Sequence, residues 1–329
     1  MRIYRDILKN SFFLTLKNKY FWFFGLFASL IGISSEYEFF FRGLRGDASE
    51  ASFSLYDRIA STGVLSPGVF KNIFVLFKTE TASMFILLLL GLILLALTAF
   101  LIWLSVASQI AIVNNSAKMI IGKDVDFKEG IVAGTRKFWP VFGLNILIKV
   151  IMTVAFIIIG IPFLFKAIAV NILIANLLYI LLFVIFVPIG IIIAFIIKYA
   201  IAFIVIKEEK FVDALGLGWK LFQKNWLVSI EMAFILFFVN FLAILAIALL
   251  TLILSIPILF LAFIFNYLFA GLGFWIIFML GLLVLIVIFI LGGAFISSFH
   301  IISWTRFFIE LSGRGVTSKI SRVVSGWSK

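Results

Sequence analysis

The sequence predicts an all-α integral membrane protein: one polytopic domain over residues 1–329, with about six transmembrane helices. Three observations carry that prediction. The chain is 64% hydrophobic and 13% charged, with a mean hydropathy of +1.27, more apolar surface than a soluble domain of 329 residues can bury. Apolar runs longer than a bilayer requires recur without the two-residue alternation of barrel strands. The basic residues gather in short segments between those runs, which is why the net charge of +12 reads as membrane topology and not as a nucleic-acid footprint.

Taken in order, residues 1–19 carry Arg2, Arg5, Lys9, Lys17 and Lys19 against Asp6 alone. The apolar run from Tyr20 to Ser34 follows, and Phe12, Phe13, Leu14 and Leu16 can extend it inward to a first span over 14–34. A cleaved signal peptide is the competing reading, but Lys17 and Lys19 set the run far from Met1. Residues 35–82 form a long polar outer loop of net negative charge, with turns at Gly43, Gly46, Gly63 and Ser66-Pro67-Gly68. Within it, Phe70, Phe74 and Phe77 repeat at helical spacing.

The second span covers 84–113 and is closed by Asn114-Asn115-Ser116, a sequon that the charge pattern places on the cytoplasmic side. Lys118, Lys123, Lys128, Arg136 and Lys137 follow, and Pro140 opens the next apolar block. Pro162 and Lys166 divide that block into spans 141–162 and 169–197, and Pro188 is expected to kink the latter.

Between the apolar blocks lies Phe211 to Trp226. Phe211, Ala214, Leu215, Gly218, Phe222 and Trp226 fall on one helical face, while Lys207, Lys210, Lys220 and Lys224 keep the stretch out of hydrocarbon. The expected partner of that face is the membrane–water boundary, with Trp219 and Trp226 as anchors. Spans 228–256 and 273–304 follow, turning around Asn266-Tyr267. The basic tail 306–329 places Val316, Ile320, Val323, Val324 and Trp327 on one stripe, as for a basic helix lying on the inner leaflet. Four net positive segments thus alternate with the outer side, which puts both termini in the cytoplasm and the protein in the cytoplasmic membrane.

The design at Phe211 occurs once earlier, at Phe127 to Phe142. Aligning Phe127 with Phe211 sets Gly134 on Gly218, Phe138 on Phe222, and Arg136 on Lys220, with Trp139 as the earlier anchor. In both copies an acid stands near the helix start and bases near its end, as the helix dipole favours. With the N-terminal segment as a degenerate third copy, the chain reads as three units, each an interfacial helix and a two-span hairpin. The bland alternative is an amphipathic connector common to many membrane proteins.

Leu16-Lys-Asn-Lys-Tyr-Phe-Trp-Phe-Phe-Gly25, Ala107-Ser-Gln-Ile-Ala-Ile-Val113 and the Phe211–Trp226 stretch resemble landmarks of the glycerophosphoryl diester phosphodiesterase membrane-domain-like family. In the enzymes of that family a soluble catalytic barrel follows the membrane part, whereas this sequence ends at Lys329 with the basic tail. The resemblance implies a fold and a membrane location, and it carries over no catalytic residue.

No acid pair, His–acid set or Ser–His–Asp arrangement stands out, cysteine is absent and His300 is the single histidine, so no catalytic, cofactor or metal site is expected. Gly216-Leu217-Gly218, Gly271-Leu272-Gly273 and Gly313-Arg314-Gly315 lack the strand–turn–helix context of a phosphate cradle. Asn145, Asn171, Asn176 and Asn240 can line a polar cavity or bond between helices. Lys149 and Glu231 stand out as ionisable residues inside the apolar blocks, at similar depth in the repeat register. A charge at mid-span costs about 2.5–3.5 kcal/mol on insertion scales, so the two are expected either to pair or to snorkel. The reading favoured is a non-catalytic membrane protein that organises anionic lipid or recruits a protein partner at the cytoplasmic face. The alternatives are a small permease with Lys149 and Glu231 in a polar path, and an accessory membrane subunit of a lipid-headgroup phosphodiesterase.

Overall fold

A computed structural model describes residues 2–31, 81–167, 172–269 and 272–314, and all regular structure among them is helical. Among the described residues, five stretches are long and apolar enough to cross a membrane: Phe85–Ile120, Phe138–Gly160, Asn176–Lys207, Phe211–Leu268 and Leu272–Gly313. The chain is a multi-pass helical membrane protein. The loop expected at 35–82 lies, up to Glu80, outside the described residues, as do Asn171 and the tail from residue 315 with Trp327. The chain divides into two compact units, one of Met1–Ile33, Leu104–Phe142 and Lys198–Lys329, the other of Ser34–Trp103 and Gly143–Ile197.

In the first unit, α1 (Arg2–Lys17) buries Ile7, Ser11 and Thr15, residues at steps of four along one face. The chain then breaks at Asn18, whose Nδ2 donates to Leu14 O at 3.0 Å and so occupies a carbonyl at the helix end. A new helix, α2 (Tyr20–Ala28), leads into a 3-10 turn at Ser29–Ile31. Trp22 Nε1 donates to Thr15 O at 2.9 Å and ties the corner. Phe12, Phe13, Leu14 and Leu16, expected as an extension of the first span, therefore sit on a separate helix. The described part of that span ends at Ile31.

Helix α3 (Thr81–Ile120) does not stop at Asn114-Asn115-Ser116 but carries all three, buried, for another turn. It ends in a left-handed cap. Gly122, at φ +83°, donates to Met119 O, and Lys123 N donates to Lys118 O, both at 3.0 Å. Asp126 then caps α4 (Phe127–Arg136), accepting from the Phe127 N–H at 2.6 Å. Asn115 Nδ2 donates to Asp126 O at 3.0 Å, and Lys118 pairs with Glu129. Gly130 and Gly134 face inward, and a Cβ on Gly134 would stand 2.8 Å from Ala107 O, so two backbones are in direct contact there.

After a non-helical Lys137 (φ −106°, ψ 15°) the chain enters α5 (Phe138–Ala167), then α6 (Ile172–Lys207), which runs through Pro188. Helix α7 (Phe211–Leu268) has 58 residues, about 87 Å at 1.5 Å per residue and far beyond a hydrocarbon core. Its kink at Asn225 (φ −130°, ψ 27°) divides the Phe211–Lys224 segment from the long apolar remainder. Side chains occupy the backbone carbonyls around the kink: Asn225 Nδ2 donates to Leu221 O at 3.1 Å, and Ser229 Oγ to Asn225 O at 2.8 Å. Since the Ser229 proton is thus used, the Tyr199 hydroxyl, 2.6 Å away, is the donor to Ser229 Oγ.

The inner face of that leading segment is Ala214, Gly218, Phe222 and Asn225, all buried in the unit. The apolar face read from the sequence as lying on the membrane boundary is covered by protein. Its small residues explain why, since they let another backbone or side chain come close, which lipid contact does not require. Helices α7 and α8 (Leu272–Arg314) then form an antiparallel hairpin, α7 ending at Leu268, just past Asn266-Tyr267. Gly281 seats Ile258, Gly292 seats Ile247 and, further along, Asn240 meets His300, so one register runs the length of the pair. On α8, Ser298 Oγ donates to Phe21 O at 2.5 Å, and Gly25 of α2 lies against Ala294 and Ser298.

In the second unit, Ala155 and Ile159 of α5 pack against Val187 of α6, joined by Met152, Phe156, Leu182 and Phe183. The leading part of α3 within this unit, from Phe85 to Ile102, exposes large aliphatic side chains along its length.

Candidate functional site

Where α6, α7 and α8 meet within the first unit, four polar or aromatic side chains converge: Lys198, Asn240, His300 and Trp304. His300 is buried, Trp304 nearly so, and Lys198 and Asn240 are half-exposed. Lys198 Nζ stands 3.5 Å from His300 Nε2 and 4.7 Å from the centre of the Trp304 ring. The Asn240 amide stands 2.8 Å from His300 Nδ1.

Donor chemistry orders this set. An ammonium only donates, so Nε2 must accept from Lys198, which leaves the imidazole hydrogen on Nδ1. Asn240 satisfies that N–H by turning its amide oxygen toward the ring, and the turn also gives Oδ1, otherwise buried without a hydrogen bond, its partner. The ring and the imidazole are both neutral groups that stabilise a cation, so they hold the lysine charge in place without cancelling it. Three residues to either side of His300 stand Ser297 and Ser303, buried hydroxyls that make no hydrogen bond among the described residues.

The residues singled out from the sequence fall elsewhere. Glu231 is half-buried on α7 and accepts from the Tyr4 hydroxyl of α1 at 2.5 Å. Lys149 is exposed on α5, in the second unit. Asn145 is buried, Asn176 is exposed, and of these asparagines Asn240 joins the polar centre. Trp139, Trp219 and Trp226 are all exposed, Trp139 at 75%, and Lys220 and Lys224 are exposed beside the latter two.

A second charged group closes the end of α6. Lys137, itself buried, donates to Val205 O at 2.8 Å and to Glu208 at 3.0 Å, and Arg136 also pairs with Glu208. Glu208 takes a left-handed backbone, φ 61°, uncommon for a residue with a Cβ. The Lys137 hydrogen bond and charge, with Arg136 beside them, hold the Glu208 carboxyl below its ordinary range.

Sequence reasoning missed Lys198 because the span boundary was drawn at Ile197, which put this lysine among the connector charges. The signal was present, since Tyr199 to Ile206 are eight residues without a charge between it and Lys207. Among the described residues no group of three or more His, Asp or Glu side chains is placed to hold a metal ion. Comparisons with protein-family models, with curated proteins and with solved structures found no match to the chain.

Proposed function

We propose that this is a non-catalytic integral membrane protein that organises anionic lipid and recruits a partner at the inner face of the cytoplasmic membrane. In this reading about six spans bring both termini to that face, and the repeats around Arg136 and Lys220 turn their exposed tryptophans and bases, not their apolar faces, toward it. The observation that carries the reading is the exposed set Trp139, Trp219 and Trp226 beside Arg136, Lys220 and Lys224. Indole rings favour the headgroup level, and each basic residue near an anionic surface contributes about 1 kcal/mol.

Tryptophan quenching by brominated lipids tests it. Brominated phosphatidylglycerol should quench more than brominated phosphatidylcholine at equal mole fraction, and the excess should shrink in high salt and in Lys220→Gln/Lys224→Gln. Equal quenching by the two lipids would remove the basis for the reading. The permease alternative puts Lys149 and Glu231 in a polar path. Loss of solute or proton flux in proteoliposomes on Lys149→Gln and on Glu231→Gln would support it, and unchanged flux counts against it.

A further inference from the structure

We propose that the end of α6, from Tyr199 to Glu208, is a strut that locks the two elbows at Lys137 and Asn225 to each other, so that the segments they carry change angle together. The inference rests on the lipid-facing reading above and adds the regulation of that surface. A tryptophan of the surface follows each elbow, Trp139 just past Lys137 and Trp226 next to Asn225.

Each elbow is a break between an amphipathic segment and a long apolar helix. Lys137 (φ −106°, ψ 15°) lies between α4 and α5, and Asn225 (φ −130°, ψ 27°) divides α7. A break in the helical ladder leaves backbone groups whose partners must come from elsewhere, and those partners set the angle. At Asn225 they are side chains in series: Tyr199 donates to Ser229 Oγ at 2.6 Å, and Ser229 to Asn225 O at 2.8 Å. Tyr199 and Ser229 are 1% and 0% exposed, so water does not stand in for either hydroxyl. At Lys137 the link is the ammonium, which donates to Val205 O at 2.8 Å and to Glu208 at 3.0 Å. Val205 O is among the last carbonyls of α6, which lack a partner inside the helix, and a cation there also suits the helix dipole.

Both links start from one short length of helix. Tyr199 to Val205 is about 9 Å at 1.5 Å per residue, within a part of α6 that is unbroken. Ala200, Ile201, Ala202, Ile204 and Val205 are buried, so this length is gripped by its neighbours and moves as a body. Glu208 adds a second sign. Its left-handed backbone, φ 61°, is unfavourable for a residue with a Cβ, and glycine is the usual residue at such a helix end. A glycine would relieve the backbone but lose the carboxylate that meets Lys137 and Arg136. Stiff packing between the two links passes a change of angle from either elbow to the other. A lipid engaged beside one elbow then biases the second, and the bias is equal in both directions.

The test is double electron–electron resonance on the full-length protein, which has no cysteine of its own, in detergent free of anionic lipid. Spin labels on Val132→Cys/Ser312→Cys report the first elbow, and labels on Val212→Cys/Ser312→Cys the second, all at exposed positions. Tyr199→Phe removes one hydroxyl at the second elbow. It should raise the population of alternative distances about fivefold in both pairs, the equivalent of one hydrogen bond. Glu208→Gln, at the first elbow, should likewise raise it in both. Should Tyr199→Phe fail to fold, Ser229→Ala takes its place. Labels on Leu242→Cys/Leu283→Cys, exposed on the α7–α8 hairpin and away from both elbows, should keep their distance in every variant. A rise confined to the elbow that carries the substitution, no rise in either pair, or equal loosening of the hairpin pair would overturn the proposal. Since no anionic lipid is present, these distances are independent of the quenching result, and the two readings fail separately.

Discussion

Replacing Gly134 with alanine puts a methyl group where α4 touches α3. The new Cβ would lie 2.8 Å from Ala107 O and 3.0 Å from Ala107 Cα and Cβ, against an optimum carbon contact of about 3.5–4.0 Å. Two of the three atoms are backbone, so no rotamer change relieves the contact and the helices must part. Overpacking of this kind costs about 1–3 kcal/mol. The substitution also gains about 1 kcal/mol of helix propensity, which complicates a single measurement. Gly216→Ala supplies the control: it is exposed in α7 with no atom within 4 Å of the added Cβ and should receive the propensity gain alone. The difference between the variants isolates the clash. At about 2–4 °C per kcal/mol, Gly134→Ala should melt about 2–12 °C below Gly216→Ala when both are followed by circular dichroism in the same detergent. Equal midpoints would refute the close backbone packing of α4 on α3.

Gly122→Ala meets no clash but must hold φ near +83°, so it should cost about 1–2 kcal/mol in the same melting assay. Glu208→Gln removes a carboxylate whose pKa is depressed by Lys137 and Arg136. A depressed carboxyl contributes stability above its unfolded value and loses it as pH falls through the folded value. The wild type should therefore soften on acidification from the ordinary carboxylate range downward, and Glu208→Gln should show a flatter profile there. Tyr4→Phe deprives Glu231 of a charged hydrogen bond and should cost about 1.5–3 kcal/mol. In a double-mutant cycle with Glu231→Ala, the losses should be less than additive.

How much of this was legible in the sequence depends on how far each signal travels along the chain. The hairpin turn near Asn266-Tyr267 and the exposed Trp139, Trp219 and Trp226 follow from local composition, which reports where apolar runs end. The phase of the helix from Phe211 was legible too, but periodicity alone does not say what covers a face. Ala214, Gly218 and Phe222 read the same against lipid or protein, and the small residues were the clue in favour of protein. The polar centre was the least accessible part. His300 looks isolated in sequence because its partners come from α6 and α7, 102 and 60 positions away. Asn114, Asn115 and Ser116 likewise looked like a helix end because their buried setting is made by other segments.

The hairpin of α7 and α8 has a mechanical consequence. Gly281 under Ile258, Gly292 under Ile247 and Asn240 on His300 act as teeth of one rack, spread over the long axis of the pair. Sliding one helix by a single residue would unseat all of them together, so the two arms can tilt or rotate as one lever but cannot shear past each other.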